Sequence, residues 1–349
     1  MDAVFVEYER RFRSFRARNH KRFALYLFAK RQEYLDFLSD CGVNAEGTAG
    51  FFFVRPGIQG LAAWVEGQSQ SQLYEILQHE GFHQFAYVYI GTNVPVWANE
   101  GLAEYFGHSI LVNNKMIVGQ ADEFRIEFVK HAIREERTVD FGQLLEMTPQ
   151  TWADVRRANP TDAALLYHQS WSMVFFLIHG EKGKYLGAFE RYLSHLSRGI
   201  DSRTAFERAF GSGTSKPFEK RWKAFALAAK PAALNTTIAR MEFLGEGLRF
   251  LQERGDSAPA TMDQLCKRLQ GIQFKRIRSQ HGLMRELSAL DKDVFTVLKP
   301  DGGTGRFQLL KPSAPDLPAS LTAPGVKPQP TLRWSRDATG QLKDEMTFR

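Results

Sequence analysis

Cysteine is nearly absent. Cys41 and Cys266 are the only two in 349 residues, and they form no C-x-x-C pair, which excludes a thiolate zinc site. One disulfide between them is feasible but nothing demands it, so the redox compartment stays open. Long apolar runs are lacking as well. The longest, such as FFFV and WSMVFFLI, fall short of the roughly 18–20 residues that span a bilayer, so the sequence predicts no transmembrane segment. The N-terminus, MDAVFVEYERRFRSFRARNHKRF, interleaves aromatics with arginines where a secretory signal would carry a continuous apolar run, so no signal is expected in this chain. There is no internal repeat and no nucleic-acid-binding motif.

What is present is the composition of a soluble globular protein, 43% hydrophobic and 24% charged. Phenylalanine is plentiful at 28 residues, enough for a large aromatic core. The net charge of +7 is dispersed, with basic excess in residues 10–31 and 216–285. Without a motif to focus it, that excess implies at most weak attraction to anionic surfaces. Val4, Phe5, Tyr8, Phe12 and Phe15 fall at helical spacing, predicting an amphipathic N-terminal helix with an arginine-rich outer face.

Periodicity divides the remainder. A strand within residues 20–30 precedes a helix through RQEYLDFLSDCG, closed by Gly42. GFFFVRPG and GLAAWVEG read as hairpin partners. A helix from about Ser71 to Val88 and a second through VWANEGLAEYFGH follow, then a hairpin turning at Asn113-Asn114. From residue 121 to about 290 helical spacing dominates. A hairpin around Asp301-Gly302-Gly303 comes next. Residues 312–330 hold six of the fourteen prolines and predict a stiff extended linker before a closing hairpin. The expected organisation is an N-terminal sheet and active-site-helix half (1–120), a helical half (121–230), a helical extension (231–292) and a β-hairpin and Pro-rich tail (293–349).

The stretch that carries chemistry is LQHEGFHQF. On a helix, His79 and His83 share a face and can present both imidazoles to one ion. Zinc suits them, since it takes imidazole nitrogen and tolerates an open position. Glu80 lies about 100° around the same helix, placed to take a proton from water on the metal without being a ligand. An H-E-x-x-H alone arises by chance in roughly one or two sequences per hundred of this length and composition, so a third ligand is required. WANEGLAEYF supplies Glu100 on a helix able to pack antiparallel, and one turn later Glu104, a carboxylate suited to hold the outer N–H of a ligating histidine.

HEGFH followed by NEGLAEYF resembles the gluzincin zinc metallopeptidases. That resemblance matches His79, His83 and Glu100 to the zinc ligands, Glu80 to the catalytic base and Glu104 to the acid behind a histidine. It implies an α+β, zincin/thermolysin-like fold: a small mixed sheet with the active-site helix, then a mainly helical half. The implied activity is zinc-dependent hydrolysis of peptide bonds, on a peptide or protein substrate. The spacing from His83 to Glu100 is slightly shorter than in the best-known members. Over roughly residues 20–230 the chain is similar to an uncharacterised bacterial group of peptidase-like domains, whose members often begin with a further strand and a secretory signal, which suggests a secreted or cell-envelope location.

Tyr167 is the candidate oxyanion donor, because Tyr167, Ser170, Trp171, Val174 and Ile178 form one helical face and gluzincins often use a tyrosine from the helical half. A core tyrosine bonded to a backbone carbonyl is the competing reading. His168, about 100° away, is a weaker candidate for substrate contact. So is Trp64, on the stretch 61–66, which the resemblance implies as an exposed sheet edge open to an extended peptide; the residues themselves read equally well as an interior strand with Trp64 in the core. His20, His108, His131, His179, His195 and His281 have no metal spacing and read as structural or surface residues. The alternative to catalysis is a zinc-binding scaffold or binding module with a basic surface.

Overall fold

The arginine-rich N-terminus folds as a helix, α1 (Asp2–Arg11), whose apolar stripe of Val4 and Tyr8 is buried. In this computed structural model, residues 1–15, 24–212, 215–280 and 283–349 are described. His20, His281 and the start of the strand expected from residue 20 lie outside them. The chain divides into two compact units: Met1–Gly119 with Arg125–Ala229, and Gln120–Phe124 with Lys230–Arg349. The fold class is α+β.

In the first unit, β1 (Leu25–Phe28) leads into α2 (Arg31–Asp40), followed by β2 (Gly50–Arg55) and β3 (Ile58–Trp64). α2 ends where Gly42 takes a positive φ of 72°. β2 and β3 pair as the expected hairpin, but the sheet order is β1-β3-β2, with β1 parallel to β3. The 61–66 stretch is therefore not a sheet edge over Leu61–Trp64; it is the middle strand. Side chains alternate across it: Ala62 and Trp64 join Tyr34, Leu38 and Phe53 on the α2 face, while Leu61 and Ala63 pack on Leu73, Ile76 and Leu77.

Those last three residues belong to α3 (Gln70–Phe85), which a π-turn, Ala86–Ile90, extends. Its start is fixed by a capping box: the Ser69 hydroxyl accepts from Gln72 N–H, and Gln72 Oε1 accepts from Ser69 N–H at 3.0 Å. α4 (Val96–Gly107) follows, then the hairpin β4 (Ile110–Val112) and β5 (Lys115–Ile117), turned by Asn113 and Asn114 at positive φ. The helical half comprises α5 (Glu123–Arg134), α6 (Phe141–Glu146), α7 (Pro149–Ala158), α8 (Pro160–His179), α9 (Leu186–Ser197), α10 (Ser202–Phe210) and α11 (Ser215–Ala228).

Small residues allow these helices to approach. A Cβ on Gly101 of α4 would lie 2.6 Å from the Ser170 carbonyl oxygen of α8, and one on Gly50 would meet Ile76 of α3 at 2.4 Å. Behind α3, Tyr8 donates to the Gln78 carbonyl at 2.6 Å. Its ring sits edge-on to Phe82 and Phe106, so α1 caps the aromatic core instead of lying free in solvent.

The second unit contains α12 (Ala233–Glu253), α13 (Met262–Gly271) and the strands β6 (Lys275–Gln280), β7 (Leu283–Ser288), β8 (Thr296–Leu298), β9 (Thr304–Arg306), β10 (Gln308–Leu310), β11 (Ser320–Thr322), β12 (Pro330–Arg336) and β13 (Leu342–Phe348). The expected helical extension stops at Gly271, because Lys275–Gln280 and Leu283–Ser288 pair as antiparallel strands. The Pro-rich stretch is not a linker either: Ser320–Thr322 is a buried strand in the sheet β10-β11-β12-β13. The hairpin at Asp301–Gly303 and the closing hairpin form as expected.

Candidate metal centre

α3 and α4 bring three electron-pair donors to one point. His79 Nε2 lies 3.1 Å from His83 Nε2, and Glu100 Oε2 lies 3.5 Å from the first and 3.4 Å from the second. The i, i+4 spacing places both imidazoles over one helix face, and α4 presents Glu100 against it. Glu100 Oε2 is buried and has no hydrogen-bond partner among the described residues. Such a cluster is stable only with positive charge at its centre, on protonated imidazoles or as a metal ion. The donor set, two imidazole nitrogens and one carboxylate oxygen, is of the type and number that a divalent ion such as zinc takes while keeping one position open.

The electrostatics of the cluster follow from the same contacts. Burial alone would lower His79, but the Glu104 and Glu100 carboxylates outweigh it and hold the imidazole well above its ordinary pKa. His83 is raised for the same reason, chiefly by Glu100. Burial pushes Glu100 up, and His83 and His79 reverse this, leaving it well below the usual carboxylate range.

A second layer fixes the first. His79 Nδ1 is 3.0 Å from Glu104 Oε1. A carboxylate accepts only, so the imidazole keeps a proton on Nδ1 and turns Nε2 toward the cluster. The other oxygen of Glu104 pairs with Arg125 of α5, whose side chain is fully buried and whose guanidinium lies over the Trp171 ring at 5.8 Å. Sequence reasoning missed Arg125. The signal was available: Arg125 shares the apolar stripe of α5 with Val129 and Ala132, an unusual place for an arginine unless it is paired. One turn before His79, Glu75 pairs with His108 at 2.9 Å, and His108 outweighs burial to keep Glu75 low.

Glu80 faces the sheet side of the cluster, where its Oε2 accepts from Phe52 N–H of β2 at 2.9 Å. Tyr167 of α8 is 8% exposed, with its ring edge-on to Trp152 at 5.3 Å. Burial raises its phenol, and the Glu100 charge adds to the rise.

Two weaker candidates do not belong here. His168 is fully buried, edge-on to Phe128 at 5.0 Å, with no surface to offer a substrate. Trp64 lies on the α2 face of the sheet, opposite to α3, and its indole N–H donates to the Thr48 carbonyl at 3.4 Å. Of the remaining histidines, His179 pairs with the Tyr105 hydroxyl at 3.0 Å. Cys41 and Cys266 are free thiols.

Residues 75–199 match a family model described as "Protein of unknown function (DUF1570)". The matched stretch runs from Glu75 through the three clustered donors to Glu104, Arg125 and Tyr167, and it excludes β2. No curated protein and no solved structure matches the chain. Among the described residues, no helix is long and apolar enough to cross a membrane.

Proposed function

We propose that this chain is a gluzincin-type, zinc-dependent peptidase in which His79, His83 and Glu100 hold the metal. The observation that carries the reading is the convergence, among the described residues, of three donor atoms, two imidazole Nε2 and a carboxylate oxygen that makes no hydrogen bond there, on one half-buried point. A purely structural zinc site is closed by four protein ligands, whereas a catalytic one keeps a position open; three donors favour the catalytic reading over a scaffold.

When bound, zinc supplies Lewis acidity, which makes water nucleophilic near neutral pH and polarises a carbonyl. The chain's own groups do the rest. Glu80 takes the proton of the attacking water and delivers it to the leaving amine. Glu104, held by Arg125, keeps the His79 ring in one orientation. Tyr167 donates a hydrogen bond from its hydroxyl to the oxygen that gains charge.

Elemental analysis of protein purified without chelator should find about one zinc per chain. Cleavage of a peptide library should disappear on chelation and return with added zinc. Protein that contains no zinc and cleaves nothing after zinc is added would overturn the proposal.

A further inference from the structure

We propose that the main-chain amide of Phe52 is a positioning group for Glu80, clamping one carboxylate oxygen so that the other is presented in a fixed direction. The inference rests on the proposed function for its catalytic meaning, though not for its geometry. β2 is an outer strand of the sheet. Phe52 pairs with Leu61 in the ladder, and Leu61 sends its own N–H the other way, to Ala24 O at 3.0 Å. The Phe52 amide therefore points out of the sheet, and its partner is Glu80 Oε2 at 2.9 Å.

The strand is shaped to receive that side chain. Gly50 and Phe52 lie two residues apart on the α3 face. A Cβ on Gly50 would stand 3.1 Å from Glu80 Cγ, so the glycine leaves the space the glutamate occupies and the amide two residues on takes its carboxylate. One hydrogen bond thus satisfies an edge amide, which would otherwise be open to strand pairing, and removes the rotational freedom of a group whose rate contribution depends on its aim. A hydrogen bond to a charged acceptor is stronger than one between neutral groups. It fixes the carboxylate before substrate or metal arrives. The Phe52 ring, 5.6 Å from that of Tyr87, anchors the strand at the same point.

The test reads the clamp first without metal. Amide hydrogen exchange of metal-free protein should show Phe52 protected. Glu80→Ala should speed its exchange by about tenfold or more, while Phe51 and Phe53, which face β3, hold their rates. Glu80→Gln, whose amide oxygen still accepts, should restore most of the protection. Equal Phe52 rates in wild type and Glu80→Ala would overturn the proposal.

The second arm uses zinc-loaded enzyme and fluorescein-labelled casein. Phe52→Pro deletes the N–H at a strand edge where no ladder bond is lost, and Phe52→Ala keeps it while removing the same ring. With both variants shown folded by circular dichroism, kcat should be on the order of tenfold lower in the proline variant than in the alanine one, with KM the same. Equal kcat values would overturn the catalytic role of the clamp. A wild-type chain that takes up no zinc and cleaves nothing would overturn the peptidase reading alone, and hydrogen exchange would still decide whether Phe52 holds Glu80.

Discussion

Both units of this protein bury charge, and they do so for different ends. In the first, His79, His83 and Glu100 point electron pairs at one another, and Glu100 Oε2 is left without a hydrogen bond among the described residues. In the second, cations and carboxylates interleave. Arg276 bonds Glu246 at 2.6 Å, Arg278 bonds Glu242 at 2.7 Å, and Arg249 pairs with Asp344. Burial and the neighbouring Arg278 bring Arg276 down to about 10, yet it stays charged at neutral pH. Burial of charge is thus a poor guide to function. What separates the units is that in the first two imidazoles and a carboxylate converge on one point, whereas in the second each cation faces a carboxylate.

The contrast can be broken or sharpened by substitution. The largest expected effect is on turnover: Glu80→Gln should lower kcat by roughly 10²–10⁴-fold with zinc content unchanged, read by steady-state kinetics beside elemental analysis. Next comes Arg125→Met, which strands the buried Glu104 carboxylate and should cost about 3–5 kcal/mol in denaturant unfolding. Adding Glu104→Gln should return most of that loss. Glu104→Gln alone should weaken zinc by about 10–100-fold against a competing chelator dye. In the second unit, Arg249→Met removes a pair whose partners are each about a third exposed. It should cost about 1 kcal/mol or less, visible as a small change in thermal midpoint, and leave zinc stoichiometry alone. A loss of zinc there would erase the distinction between the units.

The sequence disclosed the cluster because its geometry is local. Two histidines four apart on a helix must share a face, and so must Glu100 and Glu104; only the meeting of the two helices was left to tertiary structure. Arg125 could not be paired in advance, since nothing in α5 names its partner. The Phe52 clamp was hidden for a different reason: a backbone amide has no residue letter. For Trp64 the choice between edge and interior stayed open because strand order is non-local; β1 enters parallel beside β3 and makes the strand a centre. Arg276 and Arg278, two apart, show a strand alternation that helical spacing elsewhere in 232–290 masked. In 312–330 the prolines outweighed Ala319, Leu321 and Ala323, whose period of two is that of a strand.

The contact between Gly101 and Ser170 has a consequence for how this protein can change over time. Glu100 adjoins Gly101, and Tyr167 lies one turn before Ser170, so main chain resting on main chain sets how closely the backbones carrying the carboxylate and the phenol approach. A spacing set that way is a mechanical stop, with the Val174 side chain beside it. The aromatic filling around α4 and α8 can drift and trade stability without detuning that approach. Gly101 itself has no such latitude, since any side chain there would meet a carbonyl. What surrounds such a contact is free to change while the approach it sets stays put.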